Sequence, residues 1–151
     1  MNKKITVRRS RVEDLEKVLE LVKELAVFEK APDEVNNTIE KMKKDGFSLD
    51  KIFDCFVAEI QGNIIGTAIT YYRYSTWKGK CLYLEDLIVT KEYRGQGAGK
   101  LLFNHCLDFG KAQNCVRMNW QVLDWNEPAI DFYKSYQAQL DGEWINASIE
   151  L

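Results

Sequence analysis

The chain has 151 residues, of which 46% are hydrophobic and 29% charged, with a formal net charge of −2. That length allows one domain with a real core and is short for two. The balance is that of a soluble globular protein, with no bulk attraction for nucleic acid or an anionic membrane.

No apolar run reaches the roughly 18 residues of a membrane span. The opening Met1-Asn2-Lys3-Lys4-Ile5 lacks the apolar stretch of a secretory leader, so a cytoplasmic location is the expectation. Lys4 to Arg9 reads as a short strand. Ser10 and Glu13 have the S-x-x-E spacing of a capping box. Leu15, Val18, Leu19, Val22, Leu25 and Ala26 then recur at helical spacing to about Phe28. Pro32 breaks that pattern. Thr38 to Lys44 suggests a second, more polar helix, with Gly46 as its stop. Phe53 to Ile60 and Ile64 to Tyr74 read as strands joined by a hairpin turn at Gln61-Gly62-Asn63. After a loop with Trp77 and Gly79 come a strand from Cys81 to Thr90, a glycine-rich turn, and a helix to about Lys111. Val116 to Leu123 is the next strand. Asn126-Glu127-Pro128 opens a helix to about Tyr136, with Pro128 suited to its first turn. Trp144 to Leu151 reads as a last strand. This order, without linker or repeat, predicts an α+β domain spanning residues 1–151, with a mostly antiparallel sheet flanked by helices.

Cys55, Cys81, Cys106 and Cys115 form no C-x-x-C pair, and His105 is the single histidine. No metal site is expected, and the cysteines read as buried free thiols. His105, mid-helix near Cys106 and Phe109, reads as a packing or surface residue, not a base.

The turn Tyr93-Arg94-Gly95-Gln96-Gly97-Ala98-Gly99-Lys100 lies between strand and helix, an arrangement that holds phosphate on helix N–H groups. It is not a Walker loop, because Leu101 follows Lys100. Nor is it a dinucleotide fingerprint, because its glycine spacing differs and it follows an antiparallel hairpin. Its form, R-x-x-G-x-G, resembles the acetyl-CoA pyrophosphate loop of the GNAT acetyltransferase superfamily, whose element order also matches. Tyr74-Ser75-Thr76-Trp77-Lys78-Gly79, Tyr83-Leu84-Glu85-Asp86, Tyr93-Arg94-Gly95-Gln96-Gly97 and Leu123-Asp124-Trp125-Asn126-Glu127-Pro128 resemble the diamine (spermidine/spermine) N-acetyltransferase family. The Ser-Thr-Trp-Lys-Gly segment is closest to its thialysine-acetylating branch. Lys23-Glu24-Leu25-Ala26 and Asp45-Gly46-Phe47 match too. The resemblance implies the GNAT fold, a twisted sheet of roughly six to seven strands with about four helices.

The same resemblance implies an acetyl-CoA-dependent N-acetyltransferase acting on a small primary amine, a diamine, polyamine or thialysine-like amino acid, by direct attack in a ternary complex. It also implies a homodimer. An alkylamine is almost wholly protonated near neutral pH, so the site must bind a cation and then take a proton from it. Glu85 is the candidate base, directly or through a water. Strand alternation puts Glu85 with Tyr83 and Leu87, and Asp86 on the other face, so both serve one pocket only if the strand is bulged. The alternative for Glu85 is a surface-facing carboxylate. Tyr133 takes the family's proton-donor position; a phenol is protonated at neutral pH and can donate to a thiolate. Packing like that of Phe132 is its other reading. Asn126 reads as a helix N-cap, as a ligand to the pantetheine arm, or both. The resemblance assigns Leu87, Ile88 and Val89 backbone N–H groups to the thioester carbonyl and pantetheine. It assigns Arg94, Gly95, Gln96, Gly97, Ala98, Gly99 and Lys100 to the pyrophosphate. Acceptor contacts fall on Phe28, Glu29, Trp77, Glu85 and Asp86, acids and aromatics suited to a cation.

Three departures from the family pattern stand out, one of them Ser75, which stands where polyamine-acetylating relatives tend to carry an acid. Lys30 puts a positive charge into the acidic stretch, and Gln137 stands where the Tyr133 helix usually ends on glycine. The competing functions are acetylation of a protein N-terminus or lysine, and a non-catalytic acyl-CoA-binding module.

Overall fold

A computed structural model describes residues 3–151. Met1 and Asn2, the head of the segment read for a leader, lie outside the described residues. The chain divides into two compact units. One runs to Trp120 and holds the sheet with its packed helices; the other, Gln121–Leu151, holds the last helix.

In the first unit the elements are β1 (Ile5–Arg9), α1 (Leu15–Phe28), α2 (Ile39–Phe47), β2 (Asp54–Ile60), β3 (Asn63–Ser75), β4 (Gly79–Val89), α3 (Ala98–Ala112) and β5 (Arg117–Asn119). The sheet has the strand order β1-β2-β3-β4-β5. It is antiparallel except between β4 and β5, which run parallel. The run Cys55-Phe56-Val57-Ala58 is buried on both faces of β2, as a strand covered by helices on each side must be. Cys55, Val57 and Ile69 pack with Leu15, Val18 and Leu19 of α1 and Met42 of α2. Phe56 points the other way, toward His105 and Phe109 of α3, at 4.7 and 5.2 Å between ring centres. Burial lowers the His105 pKa. All four cysteines are free thiols, and Cys115 alone is partly exposed. Gln61 and Gly62, at φ 50° and 80°, make the two-residue turn between β2 and β3, as a hairpin twist requires.

Several expectations need correction. Ser10 caps nothing: its N–H joins the β2 ladder at Cys55 O, 2.8 Å, and the Asp14 carboxylate accepts from Arg11 N at 2.7 Å instead. Gly46 lies inside α2, not beyond it; a Cβ there would stand 2.4 Å from the Phe53 ring, so this glycine makes room for a side chain. The sheet has five strands among the described residues, fewer than the six to seven expected. Val116–Leu123 shrinks to the three residues of β5. Residues 144–151, read as a last strand, are irregular. Their composition suits a strand, but a strand needs a partner edge to satisfy its backbone.

The second unit holds α4 (Glu127–Lys134). Asn126 caps it, accepting from Ala129 N at 3.4 Å, with Pro128 in the first turn. It ends with Gln137 at φ 61° and Ala138 N donating to Tyr133 O at 3.3 Å. The glutamine therefore adopts the left-handed conformation that the family's glycine would take freely.

Candidate active site

β4 ends at Val89, and Thr90 N donates to Ile65 O at 2.8 Å, tying the strand end to the sheet. A single 3-10 turn, Lys91–Tyr93, leads to Arg94. Gly95 and Gly97 then take φ 78° and 91°, and Gly97 caps α3, accepting from Leu101 N at 3.0 Å. A Cβ at either glycine would meet nothing within 4 Å. Backbone conformation, not crowding, demands glycine here, and the space over the turn is open. The N–H groups of the first α3 turn face that space without helical partners, which suits an anionic group. Gly99 differs: it sits in ordinary helix, where a Cβ would only touch Val89 Cγ2 at 3.8 Å. Gln96 and Lys100 are exposed on the turn, and Ala98 is buried beneath it.

Arg94 folds back onto the protein. Its Nε donates to Val89 O at 2.9 Å, and its guanidinium lies 5.3 Å from the Phe28 ring centre and 3.9 Å from Glu24. The same Glu24 Oε1 accepts from Thr90 Oγ1 at 3.2 Å and from Lys91 N at 3.0 Å.

Two irregularities in β4 shape the neighbouring surface. Ile69 pairs with Asp86 and Thr70 with Leu84, so Glu85 is the extra residue of a β-bulge. In addition, β5 pairs only with Cys81, Leu82 and Tyr83. From Leu84 to Val89, which includes Leu87 and Ile88, the far edge of β4 has no strand partner among the described residues.

The bulge gathers acids. Glu85 is exposed and Asp86 half-buried. Loss of water, then the charges of Glu85 and Glu29, push the Asp86 carboxyl up to about 7. Glu29, just past α1, remains solvent-exposed, yet protein replaces enough of its hydration to hold it above the ordinary carboxylate range. Burial, and then the negative charge of Glu85, pushes the Tyr71 phenol up to about 12. Tyr83 lies 5.2 Å from Tyr71 between ring centres, and the Arg73 guanidinium 5.5 Å from Tyr83.

The structure thus brings Glu29, Glu85 and Asp86 within electrostatic reach of one another, and Phe28 against Arg94. Trp77 stands apart at the tip between β3 and β4, 85% exposed. Asn126 and Tyr133 belong to the second unit, where Tyr133 is buried and meets the Phe132 ring edge-on at 5.4 Å. Sequence reasoning had not singled out Tyr71 or the bonding of Glu24. Alternation placed Tyr83 on the Glu85 face, but pairing across to Tyr71 depends on register. Among the described residues, no cluster of His, Cys, Asp or Glu is arranged to hold a metal, and no helix is long and apolar enough to cross a membrane.

A glycine turn at a helix start, of a form that suits an anionic group, thus lies beside a bulged strand with an open edge. The sequence profile of the Acetyltransferase (GNAT) family matches residues 15–137, and the chain belongs to that family: it is an acetyltransferase. Among its relatives, the thialysine N-epsilon-acetyltransferase of Bos taurus is 38% identical over 143 residues, covering 89% of this chain and 84% of that protein. The spermidine/spermine N(1)-acetyltransferase-like protein 1 of Homo sapiens is 32% identical over 136 residues, covering 85% of this chain and 20% of that protein. The fold matches the crystal structure of an aminoglycoside acetyltransferase from an uncultured soil metagenomic sample, in complex with sisomicin. The TM-score is 0.78 at 21% identity, covering 97% of this chain and 96% of that one.

Proposed function

We propose that this acetyltransferase moves an acetyl group from acetyl-CoA to the primary amine of a small molecule, a diamine, polyamine or thialysine-like amino acid, in a ternary complex. The observation that carries this reading is the acidic group Glu29, Glu85 and Asp86, assembled by a bulge on the strand that leads into the glycine turn. An amine cation is drawn to such a group; Phe28 and Trp77 are the aromatic rings proposed to receive the same charge, Trp77 from the exposed tip between β3 and β4. The names of the curated relatives, a thialysine and a spermidine/spermine-like acetyltransferase, support the acceptor class.

Acetyl-CoA supplies, when bound, an activated thioester. The left-handed Gly95 and Gly97, the open space above them and the N–H groups of Ala98, Gly99 and Lys100 fit its pyrophosphate, with Arg94, Gln96 and Lys100 beside it. The unpaired β4 edge over Leu87, Ile88 and Val89 offers N–H groups to the pantetheine amides and the thioester oxygen, where negative charge grows during attack. Asn126 is assigned to the pantetheine arm in addition to its cap. Glu85 takes a proton from the bound ammonium, directly or through a water, freeing the nitrogen to attack the acyl carbon. As the carbon–sulfur bond breaks, Tyr133 gives its phenolic proton to the departing thiolate, and the second proton, shed by the acylated nitrogen as the amide forms, passes through water to restore the phenol.

A thiol-release assay over polyamines, thialysine, amino acids and peptides tests the reading. Turnover with small amines and none with peptides is expected. Preference for peptides would move the assignment to a protein acetyltransferase. Tight coenzyme A binding without thiol release from any amine would make the chain a binding module. We further propose a cytoplasmic homodimer. The exposed Trp144, Ile145 and Ile149 support association, and light scattering at a single monomer mass would refute it.

A further inference from the structure

The glycine turn has two feet. The downstream foot is the start of α3. The upstream foot, Thr90 to Arg94, has little sheet structure to hold it, yet it must present the turn in one conformation before an anion arrives. Its start is tied to β3 by Thr90 N donating to Ile65 O at 2.8 Å, and α1 holds it through one carboxylate. Glu24, six residues from the Lys30 that follows α1, offers Oε1 to Thr90 Oγ1 at 3.2 Å and Lys91 N at 3.0 Å, and it faces Arg94 Nη2 at 3.9 Å. Arg94 is held further by Val89 O and the Phe28 ring.

From this geometry we infer that Glu24 is a positioning residue for the donor-binding turn. The inference rests on the reading of that turn as the acetyl-CoA pyrophosphate site. A carboxylate is an unexpected neighbour for a diphosphate, because like charges repel. Its presence makes sense if its value lies in its accepting oxygen. By bonding to Lys91 N and Thr90 Oγ1 it spends the loop's conformational entropy during folding, so that ligand binding does not bear that cost. By facing Arg94 it keeps the guanidinium beside the turn, while the cation offsets most of the unfavourable charge. The residue touches neither reacting atom and acts only through the loop.

This gives two variants opposite outcomes. In Glu24→Ala the Lys91 N–H and the Thr90 hydroxyl lose their acceptor. In Glu24→Gln the amide oxygen still accepts from both, and the negative charge near the diphosphate is gone. Calorimetry with coenzyme A should show E24A weaker by about tenfold, the size of one charge-assisted hydrogen bond. Binding by E24Q should equal or exceed that of the parent. Steady-state kinetics should show the donor KM of E24A raised by the same factor, with kcat at saturation within about twofold. If E24A does not fold, Thr90→Val removes one of the two donors and should weaken binding about threefold.

Failure of the parent protein to bind coenzyme A would sink the reading of the turn. Parent binding matched by E24A would overturn only the role of Glu24. So would E24Q binding as weakly as E24A, or a kcat that falls in step with the rise in KM.

Discussion

Asp86→Asn tests the proposed acceptor pocket through stability and activity together. The Asp86 carboxyl stands at about 7 instead of its ordinary 3.8, because burial and then Glu85 and Glu29 oppose its charge. Each pH unit of such displacement corresponds to about 1.4 kcal/mol, so the ionised group costs the fold at most on the order of 4 kcal/mol. Water entry and relaxation around a half-buried side chain reduce that to about 2 kcal/mol. The sign follows from proton linkage. A carboxyl whose pKa is raised on folding makes the folded state the better proton binder, so stability falls as pH rises from about 4 to about 7 and then levels off. Asn mimics the protonated carboxyl at every pH. Its advantage should be near zero at pH 4 and complete by pH 8. For a chain of this size 2 kcal/mol is about 4–8 °C in melting temperature. At pH 8, where Asp86 is ionised, the same substitution removes one of three negative charges offered to the amine, so kcat/KM for a cationic acceptor should fall by up to about tenfold there. Thermal melts at pH 4 and 8, with acceptor kinetics on the same sample, check both halves. A variant less stable at pH 8, or a shift in melting temperature equal at both pH values, would refute the electrostatic account of the pocket.

Tyr133→Phe should lower kcat by about 10² while leaving coenzyme A affinity within about twofold; parent-like turnover would remove Tyr133 from the proton-donor role. Gly97→Val puts a β-branched residue at φ 91° in open space, so the penalty is backbone strain, not collision. The turn should rearrange and coenzyme A binding weaken by more than about tenfold in calorimetry. Gln137→Gly relieves a left-handed glutamine at φ 61° and should stabilise the protein by about 1 kcal/mol, or about 2–4 °C, with unchanged kinetics; a lower melting temperature would show that the glutamine side chain contributes more than its backbone costs.

The helices and central strands were legible because their signals are local. Leu15, Val18 and Leu19 recur at helical spacing and are all buried, and Gln61-Gly62 is a hairpin turn by backbone preference alone. The glycine turn was legible because its R-x-x-G-x-G spacing excluded the other phosphate loops. Errors came where a local signal had a tertiary competitor. Ser10 has the chemistry of a cap, but its backbone pairs with Cys55 and Asp14 serves the turn. Gly46 looked like a helix stop until Phe53 was seen against it. The composition of 144–151 suits a strand but does not reveal whether an edge is available to pair with it. Within the site, alternation alone separated Glu85 from Asp86, and only the offset of β4 against β3 shows that the period breaks between them. The bonding of Glu24 spans 66 residues to Thr90, a separation no spacing rule reaches.

The candidate site collects wherever β4 stops behaving as a strand. The bulge at Glu85 gives up ladder regularity, the separation from β5 after Tyr83 leaves backbone groups unpaired, and the turn beyond Val89 takes two left-handed residues. Each departure is unfavourable by itself. They persist because their surroundings over-determine them: β3 pairs along the whole of β4, α1 holds the far side of the turn through Glu24, and α3 begins directly after it. A regular strand would direct Glu85 and Asp86 to opposite faces and cover its own N–H groups with β5. It would then lack both the shared acidic group and the unpaired backbone edge on which the proposed function depends. Restoring that regularity by deleting Glu85 would be expected to strengthen the sheet and abolish acetyl transfer, since the deletion removes the proposed base and the register change together.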